Sequence, residues 1–258
     1  MADSANDAIV VDHLVKRFEI RHRGSLKLAI LGVIRKQRVE RLTALNDVSF
    51  TVPHGQTVAV IGRNGSGKST LLGILARVYK PTSGVARLTG RDGGIARVAP
   101  LLELGAGFHP DLTGLENIDF YGAVLGMTPR DIRDQLDAIV AFAELPEKVD
   151  TKLRGWNEGA KLRLGFAIAV HTRPDILLVD EVLAVGDEPF QNKCYGRIRE
   201  MQATGTTILF VSHDLAVVSR VAERTIWLSK GVIERDGPTA TVVQDYRDDA
   251  ARSGVWLA

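Results

Sequence analysis

Eight consecutive residues, Gly62-Arg63-Asn64-Gly65-Ser66-Gly67-Lys68-Ser69, fit the phosphate-loop pattern G-x-x-x-x-G-K-[ST]. Glycines at 62, 65 and 67 let the backbone take positive φ and approach a ligand closely. The backbone N–H groups of such a turn, with the helix N-terminus behind it, form a concave anion site. Residues 62 to 70, including Arg63, Asn64, Ser66 and Thr70, are therefore the expected contacts to a triphosphate. Lys68 is placed to reach the outer phosphates, and the Ser69 hydroxyl to hold Mg²⁺. The pattern has meaning only between a strand and a helix. Thr57–Ile61 before it reads as a buried strand, and Ser69–Ala76 after it as a helix. A nucleoside triphosphate is the ligand this implies.

Two further groups suit phosphoryl transfer, which needs positioning and charge neutralisation more than covalent chemistry. Ile176-Leu177-Leu178-Val179 is an apolar run followed by Asp180 and Glu181. Such a run reads as a buried parallel strand, and ligands sit at the carboxyl ends of such strands. Asp180 is expected to hold Mg²⁺ through water, and Glu181 to orient or deprotonate the attacking water. In isolation two solvated acids would be the ordinary reading; the upstream loop reverses it. His213, after the apolar run ending in Val211, can donate to a γ-phosphate oxygen or relay a proton. The other five histidines have no such context. Asn157 is a candidate N-cap for the helix over 158–169, which offers a second helix N-terminus to an anion.

Around these groups the chain reads as strands at 9–18 and 45–52, with residues 21–42 between them. That segment mixes Leu26, Leu28, Ile30, Leu31, Val33 and Ile34 with Arg21, Arg23, Lys27, Arg35, Lys36, Arg38 and Arg41. It suggests a short basic amphipathic helix, although Gly32 argues against it. Pro81–Gly84 is a turn into further strands. Residues 111–170 read as mostly helical, most clearly from Asp131 to Phe142 with Pro129 opening the helix. Strands return at 176–179, 207–211 and 225–228, the last paired with 232–235 through a hairpin at Lys230-Gly231. A strand-helix core with a helical insertion fits an α/β phosphate-loop ATPase with two subdomains.

Bulk composition limits the alternatives. A chain of 258 residues can bury a sizeable core, and its 45% hydrophobic and 25% charged residues are ordinary for a globular protein. A net charge of +2 gives no argument for nucleic acid as a partner. Cys194 is the single cysteine, so no intrachain disulfide forms, a reducing compartment is expected, and its simplest reading is a small buried hydrophobe. No apolar run approaches the roughly 18 residues of a membrane span, and the first residues do not read as a secretory signal.

The order of phosphate loop, helical insertion, Asn157 segment, acid pair and histidine resembles the nucleotide-binding subunit of an ATP-binding cassette (ABC) transporter, over essentially the whole chain. The resemblance implies one domain over 1–258: a RecA-like core, an antiparallel β subdomain and a helical subdomain at about 104–170. It implies ATP and Mg²⁺ as cofactors and a head-to-tail homodimer with two ATP molecules between subunits. Asn157, Glu158 and Gly159 would then face the γ-phosphate held by the other subunit's Lys68, and Asp187 would cross the interface. One self-complementary surface used twice closes as a C₂ dimer. Phe18 resembles the aromatic that stacks on adenine.

The chain departs from the family pattern at two places. Where the family has Leu-Ser-Gly-Gly-Gln, this chain has Trp-Asn-Glu-Gly-Ala at 156–160. An Asn157 amide can replace a serine hydroxyl. A Glu158 carboxylate suits a helix N-terminus but would repel a triphosphate, so it is expected to turn aside, toward a basic residue of the partner subunit. Glu103 stands where the family has a glutamine, and could still hold Mg²⁺ or water.

Residues 101–118 and the insertion at 21–42 resemble exporters of lipid-linked cell-surface polysaccharide (O-antigen, galactan, teichoic acid). This implies integral-membrane permease partners, two copies, docked near Phe108 to Asn117. It places the chain on the cytoplasmic face of the membrane, and the insertion near the lipid-linked substrate, where a basic amphipathic stretch suits an anionic interface. No carbohydrate-binding domain of the kind that some members append is expected after Tyr246. An importer ATPase, or a soluble ABC ATPase acting on DNA or ribosomes, is the alternative.

Overall fold

The computed structural model describes residues 6–21, 39–102, 105, 107–180 and 186–253. Their strands form two sheets. In the smaller, β1 (Asp7–Arg21) lies between β2 (Val39–Pro53) and β4 (Ser83–Leu88), antiparallel to both. The larger has the order β5-β6-β7-β3-β8-β9. Its strands are β3 (Thr57–Ile61), β5 (Val98–Leu101), β6 (Ile176–Asp180), β7 (Thr207–Val211), β8 (Arg224–Ser229) and β9 (Val232–Pro238). All pairs are parallel except β8 with β9.

Strands β3 and β7 are buried along their whole length, as continuous apolar runs require when both faces are covered. Alternate residues feed two cores. On one face Ala59, Ile61, Leu177, Val179, Ile208 and Phe210 pack with Phe166, Phe190, Cys194 and Ile198. Those come from helices α4 (Glu158–His171) and α5 (Glu188–Ala203). On the other, Val58, Val60, Leu178, Leu209 and Val211 meet Leu71, Leu72 and Leu75 of α1 (Lys68–Leu75), and Ile9, Val11, Leu45 and Val48 of the smaller sheet. The chain is thus layered about β3, which delivers the loop at its carboxyl end. Helices α6 (Leu215–Val221) and α7 (Thr239–Arg252) complete the first core. Cys194 is fully buried there, and burial pushes its thiol up to about 12, so it behaves as the small hydrophobe expected.

A third core joins α2 (Gly114–Val124), α3 (Pro129–Ala143) and α4. Capping boxes start α2 (Thr113 with Glu116) and α3 (Thr128 with Asp131), with Pro129 in the first turn of α3. Leu164, Ala167 and Ile168 of α4 face this core while Phe166, Ala169 and Val170 face the sheet, so α4 is apolar all round and couples the two.

Residues 108–117 and 149–156 are bonded together along their length. Gly114 N–H donates to Thr151 O (3.2 Å), Leu115 to Val149 O (3.0 Å), Leu153 to Leu112 O (3.0 Å) and Arg154 to Pro110 O (2.8 Å). Asn117, fully buried, sits among them: its amide donates to the carbonyls of His109, Leu112 and Thr113 and its Oδ1 accepts from His109 N–H. Asn117→Ala leaves those groups buried without a partner and is expected to cost about 2–4 kcal/mol. A denaturant midpoint within error of wild type would contradict this.

The structure changes the bounds of the basic insertion. Arg21 and residues 39–42 are strand, with Arg21 paired to Val39 and Phe18 to Leu42. Any helix there is confined to residues 22–38, which lie outside the described residues.

Candidate active site

At the carboxyl end of β3 the loop is shaped by close backbone contacts. Gly62 has φ +150° and Gly67, at the N-cap of α1, φ +110°. A Cβ at Gly62 would lie 2.1 Å from Leu228 O, and one at Gly67 2.5 Å from Ala44 O. The Lys230-Gly231 turn, expected only as a hairpin, clamps the loop: Gly231 N–H donates to Ser66 O (2.9 Å), and Gly231 O accepts from Asn46 N–H (2.8 Å). Sequence gave no signal for that second role beyond the glycine.

A cavity of about 490 Å³ opens over the loop, lined by Phe18, Leu42, Thr43, Ala44, Asn64, Gly65, Gly67, Lys68, Ser69, Thr70, Leu102 and Asp180. Seven of the positions expected for nucleotide, together with Asp180, thus meet around one space. One end is apolar: Phe18 packs edge-on against Tyr79 (5.6 Å, 87°), with the Lys16 ammonium 4.7 Å from the Phe18 ring centre. The other end carries the loop and Lys68. Lys68 is only 7% exposed, and its Nζ donates to Gly62 O (2.7 Å) and Arg63 O (3.1 Å).

The arrangement fits a triphosphate on two observations. The Ser66 hydroxyl oxygen is buried in the loop with no hydrogen-bond partner among the described residues. The glycines leave a cradle that neighbouring backbone would deny to a side chain. It also fits Mg²⁺ of the kind that keeps several waters. Among the described residues no group of three or more His, Cys, Asp or Glu side chains could hold a metal. An ion here would take Ser69 and Asp180 plus phosphate oxygens and water.

Three loop residues lie outside the cavity lining. Gly62 and Ser66 shape the loop from behind. Arg63 points away, its guanidinium 3.6 Å from Asp249 of α7. His213 follows β7, exposed, beside Ser212 and ahead of the Asp214 cap of α6; it does not line the cavity either. Glu181 and Glu103 lie outside the described residues.

Asn157, Glu158, Gly159 and Asp187 gather elsewhere. Asn157 and Gly159 line a separate cavity of about 300 Å³ with Leu145, Lys148, Ala160, Arg163 and Gly186. Asn157 caps α4, its Oδ1 accepting from Ala160 N–H at 2.8 Å. In the isolated chain Glu158 pairs with Lys161 of its own helix (2.7 Å). This i,i+3 pair is local and needs no partner. Asp187 caps α5 through Phe190 N–H (3.3 Å) and takes Arg163 at 3.0 Å. Arg163 also reaches Glu144 (3.2 Å), which in turn holds Lys193 (2.9 Å). Lys148 and Arg163 were missed from sequence; basic residues flanking a candidate helix cap were the available signal.

The profile of the ABC transporter family matches residues 45–184. The chain belongs to the ABC transporter family. Among curated ABC proteins it is 42% identical over 250 residues to the O-antigen export system ATP-binding protein RfbB of Myxococcus xanthus, covering 94% of this chain and 56% of that one. It therefore spans little more than half the length of that relative. To the Klebsiella pneumoniae protein of the same name it is 44% identical over 81% of this chain and 82% of that one. To the teichoic acids export ATP-binding protein TagH of Listeria innocua it is 37% identical over 93% of this chain and 70% of that one. Among solved ABC structures, a dimeric post-hydrolysis state of the ATP-binding cassette MJ0796 bound to ADP and Pi superposes with a TM-score of 0.71 at 23% identity. That match covers 90% of this chain and 98% of the other. The α/β cassette fold expected from sequence is the fold observed.

Proposed function

We propose that this chain is the ATPase subunit of an exporter that moves a lipid-linked cell-surface polysaccharide, working as a head-to-tail homodimer. The observation that carries the dimer is the separation of two groups on one chain. The loop, Lys68, Ser69 and Asp180 line one cavity, whereas Asn157 and Gly159 line another. A second copy, rotated by two-fold symmetry, supplies its Asn157 helix end to the first copy's phosphates and receives the same in return.

In that assembly Phe18 stacks on the base and the amides of 62–70 hold the phosphates. The Lys68 ammonium leaves Gly62 O and Arg63 O for the outer phosphate oxygens. Mg²⁺, when bound, neutralises phosphate charge; Ser69 and Asp180 hold it, with Glu103 a further candidate ligand. Glu181 accepts a proton from the attacking water, and His213 donates to the γ-phosphate. Hydrolysis places two anionic products in the seam, so the protomers repel and part. Asp187, tied to Arg163 in the isolated chain, is the acid that crosses the seam.

Export of polysaccharide is supported by the relatives named for O-antigen and teichoic acid export, at 37–44% identity. Among the described residues no helix is long and apolar enough to cross a membrane, so a separate permease, in two copies at the cytoplasmic membrane face, provides the path. Phe120 and Val124 of α2, 49% and 62% exposed, stand beside the stitched 108–117 segment and suit permease docking there. The basic residues of 21–42 suit an anionic, lipid-linked substrate.

The test is charge reversal. Arg35→Glu with Lys36→Glu is expected to reduce polymer export about tenfold or more, as loss of two surface charges near an anionic membrane allows, while basal ATPase activity stays within twofold. Equal losses in both assays would contradict the assignment. So would failure of the chain to co-purify with a detergent-solubilised membrane protein.

A further inference from the structure

The edge of the main sheet opposite the phosphate loop carries a second large cavity, of about 480 Å³. It opens between the amino ends of β5, β6 and β7 and the carboxyl ends of α4 and α5. Four arginines line it, Arg91, Arg97, Arg173 and Arg197, against two carboxylates, Asp175 and Glu200.

Most of the polar groups here are accounted for. Arg197 donates to Glu200 (2.8 Å) and to Val170 O near the end of α4 (3.2 Å). Arg91 donates to Thr204 O, just past the end of α5 (2.9 Å). These two arginines offset the partial negative charge of the helix ends. The Asp175 carboxylate accepts the backbone N–H of Arg97 at 2.8 Å. The guanidinium groups of Arg97 and Arg173 make no hydrogen bond or close ion pair among the described residues; the Asp131 carboxylate of α3 is near enough to feel both charges but is itself hydrogen-bonded to Thr128. Arg197 Nε is buried without a partner. Arg173 is also held at φ +50°, in the left-handed region, although it precedes Pro174. A β-carbon residue before proline favours extended backbone, so this conformation is strained and is sustained by its surroundings.

We infer that this cavity is a second anion site, taking a phosphate-bearing ligand on the guanidinium forks of Arg97 and Arg173. Planar forks match phosphate oxygens bidentately. The cavity nearly equals the one over the phosphate loop in volume, which suits a diphosphate carrying an organic group better than a lone phosphate. It is separate from the nucleotide: the whole length of β6 lies between Asp175, just before its start, and Asp180 at its end.

The test uses inorganic pyrophosphate titrated by calorimetry into the full chain with the phosphate loop saturated by ADP. Wild type is expected to bind, more weakly as salt rises. Arg97→Gln with Arg173→Gln is expected to bind about tenfold weaker or less, with ADP affinity unchanged. Arg173→Gly serves where the double variant folds poorly. It relieves the left-handed backbone, so its melting temperature should hold or rise while pyrophosphate binding falls. Sedimentation with phosphatidylcholine vesicles, with and without phosphatidic acid, separates the sources. Loss in the variants of vesicle binding alone assigns a lipid headgroup, and loss of pyrophosphate binding a free metabolite. No binding of either probe, or equal binding by wild type and variants, overturns the inference. ADP affinity is measured in its own titration, and the variants leave the phosphate loop intact, so failure of the nucleotide site is seen separately from loss of pyrophosphate binding in the variants.

Discussion

Lys68→Ala is expected to weaken ATP binding about a hundredfold, the scale of losing charge-assisted hydrogen bonds to phosphate in a largely desolvated site. Lys68 is 7% exposed, so its charge is poorly screened by water, and its ammonium stands among the loop's own carbonyls. Alanine removes the cation and also leaves Gly62 O and Arg63 O without their donor, so the loop loses order before nucleotide arrives. Lys68→Arg is not expected to rescue. A planar fork needs room that the closely packed loop, with Leu228 O and Ala44 O against its glycines, does not offer. Calorimetric titration of ATP without Mg²⁺ measures the effect directly, and wild-type affinity in the alanine variant would contradict the role given to Lys68.

Glu181→Gln is expected to lower ATP turnover about a thousandfold, within the range for removing a general base, while leaving ATP affinity near wild type. Glutamine keeps the shape and a hydrogen bond to water but cannot accept the proton. Binding without turnover should accumulate the ATP-bound dimer. Size-exclusion chromatography with ATP and Mg²⁺ should show a species of twice the mass for the variant and monomer for wild type after turnover. Monomer alone in both, or unchanged turnover, would place the base elsewhere. Asp180, adjacent in sequence and at the end of β6, lines the loop cavity.

The fold was legible where one physical signal dominated. Continuous apolar runs at 57–61, 176–179 and 207–211 could only be covered strands, and Pro129 and Asn157 marked helix starts that the structure has. The strands at 9–18 and 45–52 were legible, but their extension to Arg21 and back to Val39 was not, because the outer residues Arg21, Glu40, Arg41 and Leu42 lack alternation, so residues 39–42 read as part of the insertion. Site legibility divided in the same way. Local motifs named Asn64, Lys68, Ser69 and Asp180, which meet around one cavity. The Gly231 clamp and the aim of Arg63 toward Asp249 depend on residues more than 160 positions apart, and no pattern in the chain announces them. The intrachain pairing of Glu158 with Lys161, three residues on, was not read from the sequence.

The claim on which the mechanism rests is that ATP is held by two copies of this chain at once. Cryo-microscopy of Glu181→Gln with ATP and its permease tests it. The expected map has Asn157 and Gly159 of one protomer within hydrogen-bond distance of the γ-phosphate held by its partner's Lys68. ATP seated on the phosphate loop with that helix end facing solvent in both protomers would contradict it.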